Sequence, residues 1–402
     1  MRLNIKSPSL IVAALSTALL TLGAAGEPWP TIRWPVSRPE KLGLVERVLA
    51  SLDADLASGK YGNTDSMLII RHGQVAYDRT YAHDYDRIYG EQARQTSALN
   101  AHDFGGPFNY FNPWWHPFYR RGELHTMQSV TKTVTSVVIG VAVTRGEFPS
   151  IDTPVLRYFP DGKVANVDER KRRMAIRHLL TMTAGLDWNE NLPYSDPRNT
   201  GSVMEGLADW VSYTIDRPMS DEPGARFNYN SGATVLLAHI FRQATGQDLE
   251  EYAARHLFEP LGIRNYYWKR TPQGLPDAEG GLYLERHDLA KIPYLFHKGG
   301  VWNGKQVVSA AWVKQSLAPA VAVSNSARRS GVKYGFLWWL YPYGNDDPRL
   351  TFGGSGFGGQ WPIVIPEYDL VLVFTGWNIL GEKGLGAREA IDRVLAGVRE
   401  RR

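Results

Sequence analysis

Along the 402-residue chain, a lead-in rich in Pro and Trp over 28–39 gives way to apolar residues at helical spacing over 42–56, which predict a first helix. Short, mostly apolar runs at 66–70 and 75–77 flank His72-Gly73-Gln74, a turn-like triplet that predicts an antiparallel hairpin. Residues 86–121 hold many rings, among them Tyr110, Trp114 and Phe118, without a clear period, and read as a long loop that either seals one edge of the core or walls a cleft. The stretch 129–143 is apolar nearly all round and too long for one strand. With Arg145-Gly146 as its stop it predicts a buried helix, against the strand preference of its β-branched residues. Helical patterns continue at 176–182, 206–213, 232–245 and 250–258. Strands return at 335–341, 360–365 and 370–375, and a helix over 385–399 closes the chain. Strands at both ends with helices between imply one sheet built from both termini, carrying a helical lobe as an insertion.

The first residues, Met-Arg-Leu-Asn-Ile-Lys, precede an apolar, small-residue run over 10–25 that is too short for a spanning helix and has the form of a secretory signal peptide. Cleavage near residues 25–26 would release a mature chain into a periplasm or the medium, and no later stretch reads as a membrane span. Hydrophobic residues at 43% and charged residues at 21% fit a globular protein rather than a disordered one. A formal charge of +4 without a Lys/Arg-rich run speaks against nucleic acid as a partner. Zero Cys excludes a disulfide scaffold, thiolate metal sites and a cysteine nucleophile.

A serine becomes a nucleophile only with a base beside it. Ser129 and Lys132, three residues apart on the predicted buried helix, share one face, and burial disfavours the charged form of a lysine, moving it toward the neutral amine a base requires. About one Ser-x-x-Lys match is expected by chance in a chain of this length. A second one, Ser330 to Lys333, lies in a polar, Gly-containing loop and reads as the accidental match. No Gly-x-Ser-x-Gly elbow and no His-Glu-x-x-His motif occurs, so neither an α/β-hydrolase nor a zinc enzyme is indicated, and no metal or cofactor is expected. His125, four residues before Ser129, reads as a packed or capping histidine.

Three blocks in order, Gln128-Ser129-Val130-Thr131-Lys132, then Ile176 through Leu186 (Ile-Arg-His-Leu-Leu-Thr-Met-Thr-Ala-Gly-Leu), then Pro223-Gly224-Ala225-Arg226-Phe227-Asn228-Tyr229-Asn230-Ser231-Gly232, resemble the serine β-lactamase-related hydrolases. That superfamily includes class C β-lactamases, DD-peptidases, family VIII carboxylesterases and aminohexanoate-dimer hydrolases. The resemblance implies an α+β fold, an antiparallel sheet flanked by helices with an all-helical lobe and a cleft between them. One two-lobed domain over 27–402 follows, with the sheet lobe about 42–125 and 330–402 and the helical lobe about 126–329. It also implies that Tyr229 assists Lys132 in proton transfer and that the backbone N–H groups of Ser129 and Phe357 form an oxyanion hole. Gly354-Ser355-Gly356 stands where the family has Lys/His-Thr/Ser-Gly, so the cation that draws a substrate carboxylate is missing, unless Arg328 or Arg329 replaces it. Ser231 replaces the Asn of Tyr-x-Asn, as in the ester and amide hydrolases of the superfamily, and can hydrogen-bond the lysine or substrate. Tyr194 falls where aminohexanoate-dimer hydrolases have a cleft-facing tyrosine, or is an exposed loop residue. The function implied is metal-free hydrolysis of a small ester or amide through an acyl-enzyme on Ser129. The alternatives are a β-lactamase or DD-peptidase with the same residues, and a non-catalytic cell-wall or ligand-binding descendant.

Overall fold

The computed structural model describes residues 29–100, 103–323, 331–344 and 349–399. The predicted leader, Arg328, Arg329 and Ser330 lie outside the described residues.

Eight antiparallel strands form the central sheet: β1 (Thr64–Arg71), β2 (Gln74–Thr80), β3 (Val321–Ala322), β4 (Lys333–Tyr334), β5 (Trp339–Tyr343), β6 (Arg349–Gly353), β7 (Trp361–Ile365) and β8 (Leu370–Gly376), in the spatial order β2-β1-β8-β7-β6-β5-β4-β3. The first hairpin thus pairs with the last strand, Ile69 opposite Leu372, so the two chain ends close one sheet. The β1–β2 turn uses His72 and Gly73 at φ 52° and 70°, the left-handed pair a two-residue hairpin needs. Strands β1 and β8 are buried along their whole length, so their apolar runs require cover on both faces. Helices α1 (Glu46–Ala57), α4 (Arg286–His297) and α5 (Ala387–Leu395) pack against the sheet.

The predicted buried helix is α2 (Val130–Thr144), every residue from Val130 to Ala142 of which is buried. It packs against α3 (Ser231–Thr245) and the helix Ala310–Ser316, where Gly140 lets the Trp312 indole lie directly on the helix backbone. The chain differs from its pattern at several points. The helix expected over 206–213 is split into Thr200–Glu205 and Trp210–Ile215, because the Asp209 carboxylate accepts from Ser212 N at 2.8 Å and starts a new helix. The segment 250–258 begins as Leu249–Ala253 and widens into a π turn over Ala254–Phe258. The strand expected at 335–341 is shifted to β5, with Leu337 at φ 61° breaking it from β4. Helix α4, with Pro293 inside it, and strand β6 have no counterpart in the pattern. Helices are the commonest regular elements over 126–323, which also carries short strands, including Tyr267–Trp268 and Leu282–Leu284, and β3, which joins the main sheet.

The described residues of 86–121 are largely loop with short helical turns. Tyr110 and Phe111 join Tyr85, Tyr89, Leu99 and Trp377 in a second apolar cluster, against which Tyr194 and Phe357 pack.

Candidate active site

The chain reaches Ser129 through a short strand, His125–Thr126, paired with Leu282–Leu284, and Met127 N donates to Leu282 O at 2.8 Å. Gln128 then takes φ 47°, a left-handed conformation that costs a residue with a Cβ of order 1 kcal/mol and turns the chain sharply into α2. Ser129 therefore occupies the N-cap of a long helix, but its side chain caps no backbone N–H. Its hydroxyl instead meets Lys132 Nζ at 3.1 Å. The second segment is the loop before α3, whose Asn230 caps the helix by accepting from Ala233 N at 2.9 Å. Tyr229, one residue earlier, presents its ring 5.2 Å from Lys132 Nζ and its hydroxyl to Ser129. Ser129, Lys132 and Tyr229 are thus brought together from two helix N-termini. Burial raises the Tyr229 phenol above its ordinary value, with the Lys132 charge opposing and Glu190 adding to the rise.

Lys132 departs from expectation. It is buried, and burial does disfavour its charge, but Tyr229, Glu279 and Glu190 together outweigh that effect and hold the ammonium above the usual lysine value. Glu279 supplies both its backbone carbonyl, at 2.7 Å from Nζ, and a carboxylate oxygen at 3.0 Å. The turn that delivers it is shaped by Asp277, whose carboxylate accepts from Glu279 N and Gly280 N, each at 3.1 Å. Burial opposes the charge of Glu279, yet Lys132 and a hydrogen bond from Glu205 bring its carboxyl down to about 2. The Glu205 carboxyl itself is raised well above its ordinary value by burial and by Glu279, and accepts from Tyr110 OH at 2.6 Å. Lys269, buried against Asp277 at 3.2 Å, donates to Tyr110 OH at 3.2 Å.

On the other side of Ser129, Glu190 gathers two of the predicted positions. Ser231 donates to it from both Oγ, at 2.6 Å, and N, at 2.7 Å, and Tyr194 OH donates at 2.7 Å. Ser231 is therefore turned to Glu190 rather than to the lysine. Tyr194 lies in the cleft, its ring edge-on to Phe357 with centroids 4.9 Å apart. Gly354 N donates to Pro362 O at 3.0 Å, and a Cβ on Gly354 would lie 3.1 Å from Val130, so the strand runs close against the start of α2. Ser355 and Gly356 follow, and Phe357 lines a narrow cavity of about 20 Å³ with Ser129, Gln128, Tyr194, Ser231 and Glu279. Among the described residues, the backbone N–H groups of Ser129 and Phe357 have no protein acceptor. Larger grooves, about 650 and 470 Å³, lie elsewhere and hold none of these residues. His125 is buried, Nε2 on Asp65 at 3.0 Å and Nδ1 on Thr126 O, as a packed histidine. No group of three or more His, Asp or Glu among the described residues is placed to hold a metal ion. Glu190, Glu205 and Glu279 were not legible as site residues, and Tyr110 was so only as one ring of a candidate cleft wall. The nearest signal for Glu279 is an acidic pair, Asp277 and Glu279, set among small and apolar residues before Leu282.

The sequence profile of the Beta-lactamase family matches residues 63–391. The chain belongs to that family. It is a serine hydrolase with the β-lactamase/transpeptidase-like α+β fold. It is 27% identical over 276 residues to the 6-aminohexanoate-dimer hydrolase of Paenarthrobacter ureafaciens, covering 64% of this chain and 68% of the relative. With Esterase EstB of Burkholderia gladioli it shares 26% identity over 211 residues, 49% of this chain and 45% of the esterase. Among solved structures, EstCE1, described as a hydrolase with promiscuous acyltransferase activity, superposes with a TM-score of 0.63 at 18% identity, over 90% of this chain and 99% of that one. A family VIII carboxylesterase gives 0.61 at 15% identity, over 90% and 98%.

Proposed function

We propose that this serine hydrolase cleaves small esters or amides through an acyl-enzyme on Ser129. In this reading Ser129 Oγ attacks the carbonyl carbon, the Lys132–Tyr229 unit takes the hydroxyl proton and delivers it to the leaving group, and water later releases the acyl group. The N–H groups of Ser129 and Phe357 receive the oxyanion, a task that needs no particular side chain. The observation that carries the reading is the convergence of Ser129, Lys132 and Tyr229 at the cleft end of α2, with the serine hydroxyl 3.1 Å from Lys132 Nζ and the Tyr229 ring 5.2 Å from the same Nζ.

The substrate side favours neutral or amine-bearing molecules over carboxylates. Position 354 is a glycine backed by Val130, and Glu190 and Glu279 stand on either side of the nucleophile. A substrate carboxylate buried there without a cation costs several kcal/mol. The narrowness of the cavity suits a short acyl group, and the likeness to an aminohexanoate-dimer hydrolase makes ω-amino-acid amides the amides to try first. The β-lactamase or DD-peptidase reading uses the same three residues but lacks this cation.

The experiment is a panel of p-nitrophenyl esters of increasing acyl length, short ω-amino-acid amides and nitrocefin, run on the wild type and Ser129→Ala. Short esters are expected to turn over, with nitrocefin slower in kcat/KM by at least about a hundredfold. Residual Ser129→Ala turnover above a few per cent contradicts the nucleophile, and efficient nitrocefin hydrolysis favours the lactamase reading.

We also propose that residues 1–26 are an export leader and that the mature enzyme works in the periplasm or outside the cell. No helix among the described residues is long and apolar enough to cross a membrane. The mass of enzyme recovered from a periplasmic fraction checks this: loss of the first 25 or 26 residues is expected, and an uncleaved chain contradicts it.

A further inference from the structure

Lys132 Nζ is surrounded by three acceptors, Ser129 Oγ at 3.1 Å, Glu279 O at 2.7 Å and Glu279 Oε2 at 3.0 Å. An ammonium donates to all three, whereas an amine would donate twice to Glu279 and accept from the Ser129 hydroxyl, so the buried carboxylate at 3.0 Å decides between them in favour of the ammonium. The lysine and glutamate side chains are 1% and 9% exposed, so their attraction acts with little screening by water. Tyr229 and Glu190 are the other titratable groups facing Lys132, and neither supplies a compensating positive charge. Those facing Glu279 are Lys132, Glu205 at the end of its helix, Lys269 and Asp277, with the phenols of Tyr110, Tyr194 and Tyr229. Two carboxyls hydrogen-bonded to one another cannot both ionise cheaply. Lys132 fixes the negative charge on Glu279, and the proton stays with Glu205, whose other partner is Tyr110.

An ammonium cannot accept the serine proton. We propose that Glu279 is a positioning residue that holds Lys132 as the ammonium in the resting enzyme and so sets the pH at which the Ser129–Lys132–Tyr229 unit gives up a proton and becomes active. The inference rests on the reading of Lys132 and Tyr229 as the proton-transfer pair. In the active form one proton has passed from Lys132 to solvent hydroxide, leaving the amine and water. As Oγ bonds to the carbonyl carbon, the Oγ–H proton moves to Nζ, the carbonyl π pair moves to the oxyanion, and the ammonium again faces Glu279, which is never protonated. A carboxylate beside the ammonium makes the first loss harder, so the rate rises only on the alkaline side.

The test is kcat/KM against pH for a p-nitrophenyl ester with the wild type, Glu279→Gln, Glu279→Asp and Lys132→Ala, fold being checked by thermal melting. The wild type is expected to gain activity through an alkaline limb. Glu279→Gln should displace that limb to lower pH by at least about one unit, and Glu279→Asp, which withdraws the carboxylate by one methylene, by about half as much. A merely structural role would lower the rate without moving the limb. Should Glu279→Gln fail to fold, Glu279→Asp decides alone. Limbs that coincide with the wild type while Lys132→Ala is inactive overturn the role of Glu279. A Lys132→Ala enzyme with wild-type rate and profile overturns the underlying reading instead.

Discussion

In the proposed reading Ser129, Lys132 and Tyr229 act as one unit, so that loss of either proton carrier disables the same step. Lys132→Ala and Tyr229→Phe should each lower kcat by about two orders of magnitude or more, and the double variant should cost far less than the product of the two. Single-turnover rates of the four proteins check this, and multiplicative losses contradict a shared role. These three residues were legible because each lies within a few positions of a motif on its own helix end. Their partners were not: Glu190 follows the 176–186 block by a few residues, and Glu279 lies 147 positions from the lysine it touches, so no local spacing connects them. The charge state of Lys132 was misread for that reason. Burial alone argues for a neutral amine, and only the fold supplies the carboxylate that reverses it.

Helix α2 is positioned at both ends, by the Gln128 turn before Ser129 and by Gly140 under Trp312. Gly140→Ala tests the second. Alanine in a helix interior is favoured over glycine by about 1 kcal/mol, but here the added methyl overlaps the Trp312 ring, and overpacking costs about 1–3 kcal/mol. The substitution is therefore expected to lower the urea midpoint, and a raised midpoint would show that Trp312 moves aside at little cost. Long elements with an unbroken pattern, α2, α3, the first hairpin and β7–β8, were legible in the sequence. Elements whose limits come from side-chain caps or tertiary contacts were not: Asp209 splits one helix, Pro293 hides another, and two-residue strands such as β3 have no period to read.

For the whole molecule, closure of the sheet by the two chain ends was legible from the order of strands and helices, while the aromatic loop was legible only as two alternatives, a seal on the core edge or a cleft wall. The seam between that loop and the sheet holds His116, buried and stacked on Trp377 with ring centroids 5.2 Å apart, with Nε2 on Pro107 O at 2.9 Å and Nδ1 on Tyr283 OH at 3.1 Å. Burial, with Lys269 adding to it, lowers its imidazole to about 3, so the folded chain keeps it neutral where the unfolded chain binds a proton below about 6.5. The unfolded state then holds the extra proton between those limits, and stability falls as pH drops through that window by up to about 1.4 kcal/mol per unit from this residue. Melting temperature from pH 7 to pH 4 should decline less steeply in His116→Gln, and parallel curves contradict the assignment. The central claim, a covalent acyl-enzyme on Ser129, is tested most directly by quenching the enzyme in acid during turnover of a short p-nitrophenyl ester and mapping the adduct by peptide mass. The account predicts one acyl group per chain, on Ser129, and none in Ser129→Ala. An active enzyme whose acyl group maps to another residue, Ser330 included, would contradict it.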